Sequence, residues 1–180
     1  MRRVRDVICY VGMCVLLCCA SCVAQQGVDS GRLKLLDHLA GDWVLQGTID
    51  GKQTTHDVQA EWVLNHEYLR LYELSREKNA KGDAVYEAIV FLGWDAKAQQ
   101  YTCLWLDSTS GNGLSAETIG RAKVTPPATS IPFIFTISGS ESLHTTFTYD
   151  ASTDTWRWVI DDEDKGKTDR FADVRLTRAK

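Results

Sequence analysis

The chain is poor in the residues and patterns that usually announce chemistry. It has four histidines in 180 residues, and no two of them stand four apart. It contains no His-Glu-x-x-His, which excludes a zinc site carried on one helix. It contains no Gly-x-Ser-x-Gly. "GLSAE" lacks the second glycine and any strand-to-helix setting. The acidic "DDEDKGK" fails the spacing of a calcium loop: Lys165 fills a ligand place before Gly166, and no Glu closes the loop. That segment reads as a solvated hairpin tip. Basic residues are outnumbered 20 to 24, with no basic cluster, and the net charge is −4. Such a surface repels phosphate backbones, so no nucleic-acid partner is expected. Beyond residue 22 only Cys103 remains, so no internal disulfide framework is available. Cys103 lies in the apolar "YTCLWL" and reads as a buried, inert thiol.

The other five cysteines crowd the N-terminus: Cys9, Cys14, Cys18, Cys19 and Cys22. They lie in and just after an apolar run preceded by Arg2, Arg3 and Arg5 and followed by "SCVA". Positive start, short apolar core and small-residue end match an export signal over residues 1–24, cleaved after Ala24. The core is short for a bilayer span. Lipidation is a variant of this reading. Cys22 follows Ala20 and Ser21, and Cys19 follows Leu16 and Leu17, although neither context matches a lipoprotein signal fully. The expectation is an exported periplasmic or cell-envelope protein, touching a membrane only through such an anchor. Cleavage removes three arginines and one aspartate and makes the remaining domain two charges more acidic.

Residues 25–31 read as a polar linker, and 32–180 as one domain. "RLKLLDHL" spaces Leu33, Leu36 and Leu39 as one short amphipathic helix. After Gly41 the helical period disappears. About ten strand-like segments follow, from "WVLQGTI" to "TDRFADVRLTR", separated by turn signals such as "DGK", "STSGNG" and "TPPATS". Parallel strands need helical crossovers, and none fits between these segments. The fold class is therefore all-β: an antiparallel, up-and-down barrel of about ten strands, closed or nearly so, with the short helix plugging one end. Closure would remove the edges that an open ten-stranded sheet leaves exposed. A two-sheet sandwich is the alternative, and it would show longer crossing loops.

A helix followed by Gly-x-Trp at the first strand resembles the calycin superfamily, the lipocalins and fatty-acid-binding proteins among them. The resemblance implies that Trp43 packs inside the plugged end, with an arginine of the last strand over its ring. Arg178 shares strand parity with Val174 and Leu176 and is the expected partner, ahead of Arg175. Gly41, Trp43 and Arg178 thus form the expected barrel closure. "LAGDW", "THDVQAEWVLNHEYLRLYE", "YEAIVFLGWD", "LWLDSTSGNGL", "HTTFTYD", "DTWRW" and "VRLTR" resemble an uncharacterised bacterial family of lipocalin-like barrel domains. That family implies a fold and brings no assigned activity.

A barrel of this width is not easily filled by side chains, so its interior is a candidate pocket. Two strands, "YLRLYELS" and "VYEAIVFLGW", are apolar on both faces, which suggests that some charge shares the interior. Arg70 with Glu87 or Glu61 would then orient a ligand head group. Trp62, Trp105 and Trp158 would serve as wall, and His144 could project from its strand. The expected partner is a small apolar or amphipathic molecule. No cofactor is expected; haem on His144 is the alternative. Two further function classes stand beside binding: an isomerase- or hydrolase-like enzyme using Glu87 or His144 as acid or base, and an envelope interaction domain without ligand. The sequence sets no oligomeric state.

Overall fold

The computed structural model describes residues 33–109, 113–125 and 127–180. The expected signal and linker segments, with Cys19 and Cys22, lie outside the described residues. One compact unit runs from Leu35 to Lys180.

It is a closed barrel of ten antiparallel strands. These are β1 (Gly41–Ile49), β2 (Lys52–Val63), β3 (Tyr68–Ser75), β4 (Glu87–Asp95), β5 (Gln100–Asp107), β6 (Ile119–Ala122), β7 (Ser130–Ser138), β8 (Glu141–Asp150), β9 (Thr155–Asp164) and β10 (Lys167–Arg178). Each strand pairs with the next, and β10 pairs back onto β1 from Trp43↔Arg178 to Ile49↔Ala172. Closure leaves no edge strand to template aggregation. Tight turns set the register. Asp50 and Gly51 both lie at positive φ, 48° and 70°, as do Lys165 and Gly166, at 50° and 77°. Two such residues make the hairpin turn whose twist suits antiparallel strands.

Two segments differ from the sequence reading. "LSAETIGRAKV" is not one strand: Ala116–Thr118 form a single 3-10 turn and β6 is only four residues long. Thr118 donates its side-chain hydroxyl to the Ser115 carbonyl at 2.7 Å, a local bond that competes with strand pairing. "AVYEAIVFLGW" enters β4 only at Glu87. Upstream, the Asn79 side chain accepts hydrogen bonds from the Lys81 and Asp83 amides and turns the chain.

Strand alternation sorts the side chains. Trp43 and Leu45, Val58 and Ala60, Leu69 and Leu71, Val90 and Leu92, Phe133 and Phe135, Trp156 and Trp158, and Val174 and Leu176 are all buried, two residues apart on their strands. The alternate positions carry ion pairs: Arg70–Glu61, Arg76–Asp57 and Arg157–Asp173. Gly120 faces inward, where an added Cβ would stand 2.5 Å from the Phe135 ring. Its missing side chain makes room for that ring.

One end of the barrel is shut. Residues 33–37 are helical, and Leu36 and Leu39 just inside the compact unit are fully buried. Trp43, 1% exposed, donates its indole N–H to the Leu39 carbonyl at 2.7 Å. Trp156 donates to the His38 carbonyl at 3.3 Å. The Arg178 guanidinium lies over Trp43, 3.8 Å from the ring centroid. It also donates to the Ala40 and His38 carbonyls, at 2.7 and 3.0 Å, and to Asp154 at 3.0 Å. One side chain thus satisfies carbonyls at the chain's entrance to the barrel and joins them to the last strand. Gly41 permits the approach. Its φ is +121°, and an added Cβ would stand 2.6 Å from an Arg178 nitrogen.

Arg178→Met keeps the alkyl stem and removes the ring contact and the donated bonds. A loss of about 1–3 kcal/mol is expected by urea denaturation at neutral pH. The hydrogen bond from Arg178 holds the Asp154 carboxyl below the usual aspartate range. Asp154 therefore adds stability that is complete above the unfolded value of about 3.9 and is lost as pH falls through its lower folded value. The gap between wild type and Arg178→Met should narrow at pH ~2.

Candidate functional site

In an up-and-down barrel successive connections alternate between ends. The connections β1–β2, β3–β4, β5–β6, β7–β8 and β9–β10 therefore gather opposite Trp43. A cavity of about 650 Å³ opens there. Residues in those connections or at the strand ends beside them line its mouth: Asp50, Lys52, Glu77, Asp107 and Glu117. Its wall is apolar and partly aromatic, with Trp105, Phe135, Ile137, Leu143, Trp158 and Ile160. The aromatic wall continues into the barrel core, where the Phe147 ring packs on Trp158 at 4.7 Å and on Phe133 at 5.6 Å.

A polar group interrupts this wall. His56 is 4% exposed and Glu73 3% exposed. His56 shares inward parity with Val58 and Ala60 on β2, and Glu73 with Leu69 and Leu71 on β3. Glu73 stands opposite Val58, one inward step from His56 along β2. His56 Nδ1 meets Glu73 Oε1 at 2.5 Å, and Nε2 meets the Thr54 hydroxyl at 2.7 Å. Both ring nitrogens are thus engaged. A buried carboxylate is costly unless it is paired, and His56 is its partner. Tyr86 stacks on the His56 ring with centroids 5.5 Å apart. Its hydroxyl accepts the Trp105 indole N–H at 3.1 Å. Burial, reinforced by the nearby Glu73 charge, pushes the Tyr86 phenol far above its ordinary range. It stays a protonated donor. Burial likewise pushes the Cys103 thiol up, which makes it a poor nucleophile.

The expected site residues separate into two groups. Trp105 and Trp158 line the cavity. Arg70, Glu61, Glu87 and His144 do not, because their strand parity places them on the outer face. Arg70 pairs there with Glu61 at 2.5 Å, directly across β2 and β3. Glu87 accepts the Tyr72 hydroxyl at 2.8 Å. His144 meets Ser142 at 3.0 Å and Glu163 at 3.3 Å. Trp62 lies near the other end of β2, where it stacks on His66 at 4.0 Å between centroids. The interior charge that the doubly apolar strands suggested is present, and Glu73 carries it. His56, Glu73 and Tyr86 were missed. The signal available was parity: Glu73 falls two residues after Leu71, and His56 two before Val58. Among the described residues no group of three His, Cys, Asp or Glu side chains could hold a metal ion.

No protein-family model matches the chain. No curated protein matches it. Among solved structures it is similar to the crystal structure of Rv2717c from M. tuberculosis. The TM-score is 0.55 at 12% identity, over 82% of this chain and 97% of that one. At that identity the likeness speaks for the barrel alone.

The buried pair can be tested by a double-mutant cycle. His56→Leu leaves Glu73 buried without its partner and should cost about 3–5 kcal/mol. His56→Leu with Glu73→Leu removes both polar groups and should cost markedly less than Glu73's isolation does. Additive losses in denaturant titrations would show that the two side chains are not coupled.

Proposed function

We propose that the barrel is a binding module for a small, largely apolar molecule held in the open-end cavity. The observation that carries the reading is the shape and chemistry of that cavity. A volume of about 650 Å³ lies within the range of small-molecule sites. Its wall is apolar, and a few polar groups converge on one side, which is how such sites fix orientation. Trp105 is the link between the two parts, being wall and Tyr86 partner at once. We also propose that the chain is exported, on the strength of residues 1–24, with Cys22 or Cys19 as the acyl acceptor if it is anchored.

Lipocalin-like kinship belongs to this proposal. The features that favour it are the plugged end, Trp43 and the arginine over its ring.

A second reading has one observation in its favour. Thr54, His56 and Glu73 are joined in the order hydroxyl, imidazole, carboxylate, the order of a nucleophile, its base and an orienting acid. On this reading the acid–base role belongs to His56 rather than to Glu87 or His144. Thr54 would attack an ester carbonyl while His56 takes its proton. The alcohol would leave with that proton, and water would then release the acid. Hydrolysis of p-nitrophenyl butyrate that disappears in Thr54→Val and in His56→Gln would support it. Turnover no faster than buffer would remove it.

Binding is tested with Nile red, an uncharged dye whose fluorescence rises in apolar surroundings. Saturable uptake at one site is expected. Trp105→Ala should weaken it about tenfold, the loss of roughly 1.4 kcal/mol. Trp62→Ala, outside the cavity, should leave it unchanged. Equal effects of the two variants would place the dye elsewhere.

A further inference from the structure

We infer that this cavity selects ligands whose polar end is an uncharged oxygen, a hydroxyl or carbonyl, and discriminates against carboxylates. The inference rests on the binding reading above and specifies its ligand class.

Three observations converge. First, no guanidinium lines the cavity among the described residues; Lys52 at the mouth is the single Lys or Arg side chain there. Arg70 is on the outer face with Glu61, and Arg178 is held at the closed end. An anionic head group has no fixed cation to meet inside. Second, the acidic side chains around it outnumber that lysine. Glu73 is buried in the wall, and Asp50, Glu77, Asp107 and Glu117 stand at or near the mouth. A carboxylate entering this field would face like charge in a partly desolvated setting, where repulsion is strongest. Third, the interior offers donors that have uses to spare. The Tyr86 hydroxyl accepts from Trp105, which leaves its own hydrogen for an acceptor. Trp158 lines the cavity, and its indole nitrogen is buried with no hydrogen-bond partner among the described residues. A buried donor without an acceptor is costly, and a ligand oxygen that reached this nitrogen would relieve the cost.

A cationic head would suit the acidic mouth but satisfy neither donor. Glu73, the one acid set deep in the wall, already has His56 as its partner. An uncharged oxygen meets the donors and avoids the repulsion. The rest of such a ligand would lie along Trp105, Trp158 and Phe135.

The test uses three amphiphiles of equal chain length, each displacing Nile red from the protein at neutral pH and below micelle formation: decanol, decanoate and decyltrimethylammonium. Decanol should displace the dye at a concentration about tenfold lower than either ion. Tyr86→Phe should reduce decanol's advantage severalfold, since it deletes the donor and keeps the ring. Glu73→Gln should strengthen decanoate binding severalfold, since it keeps the shape and removes the charge. Decanoate or the ammonium compound binding the wild type as tightly as decanol would overturn the inference while leaving the binding reading intact. Saturable dye uptake displaced by none of the three would overturn the inference too. No dye uptake at all would defeat the binding reading itself, and this inference with it.

Discussion

The structure depends on the meeting of its first and last strands. β10 pairs along β1, and Arg178 at the end of that seam covers Trp43 and donates to the Ala40 and His38 carbonyls. A barrel assembled in chain order has two free edges until that last pairing forms. The contact therefore joins residues at opposite ends of the chain and completes the sheet. It also shuts one mouth, because the same guanidinium holds the segment carrying Leu36 and Leu39. The asymmetry of the molecule follows: one end is core, and the other is free to be a site.

The interior obeys a second constraint. Ten strands enclose more space than side chains fill, and what remains at the open end is a cavity. Charge inside such a cavity must be paired, which fixes His56, Glu73 and Thr54 relative to one another. The pair has an energetic cost as well as a role. Well-packed apolar residues in its place would stabilise the barrel as much or more. Its presence on a cavity wall, beside a tyrosine held protonated, gives an otherwise greasy surface one polar edge with a defined geometry. An apolar lining alone would bind without orienting.

Much of the architecture was legible in the sequence. Ten strand-like segments without helices between them left an antiparallel barrel as the economical solution, and parity in β10 pointed to Arg178. The short β6 was less legible. "AETIGRA" has strand-like composition, and the Thr118 hydroxyl bond to Ser115, with the Thr118 amide bond to the same carbonyl, diverts its start into a turn. The site was legible only in part. Trp105 and Trp158 stand on apolar strands and were natural wall residues. Arg70 attracted notice as a charge among apolar neighbours, yet in "YLRLYELS" the inward set is Leu69, Leu71, Glu73 and Ser75. Both faces of that strand look apolar, because Tyr68 and Tyr72 decorate the outside, so composition could not choose between them. The pairing of β3 with β2 makes the choice, and that is a long-range property of the fold.

The central claim is that the open end holds a molecule rather than empty space or collapsed core. Native mass spectrometry of the protein isolated from its source tests it most directly. The account predicts a subpopulation heavier by one small, uncharged, oxygen-bearing molecule, released when the barrel unfolds and reduced in Trp105→Ala. Repeated isolation of protein at its bare polypeptide mass, with no uptake of added Nile red or decanol, would contradict it.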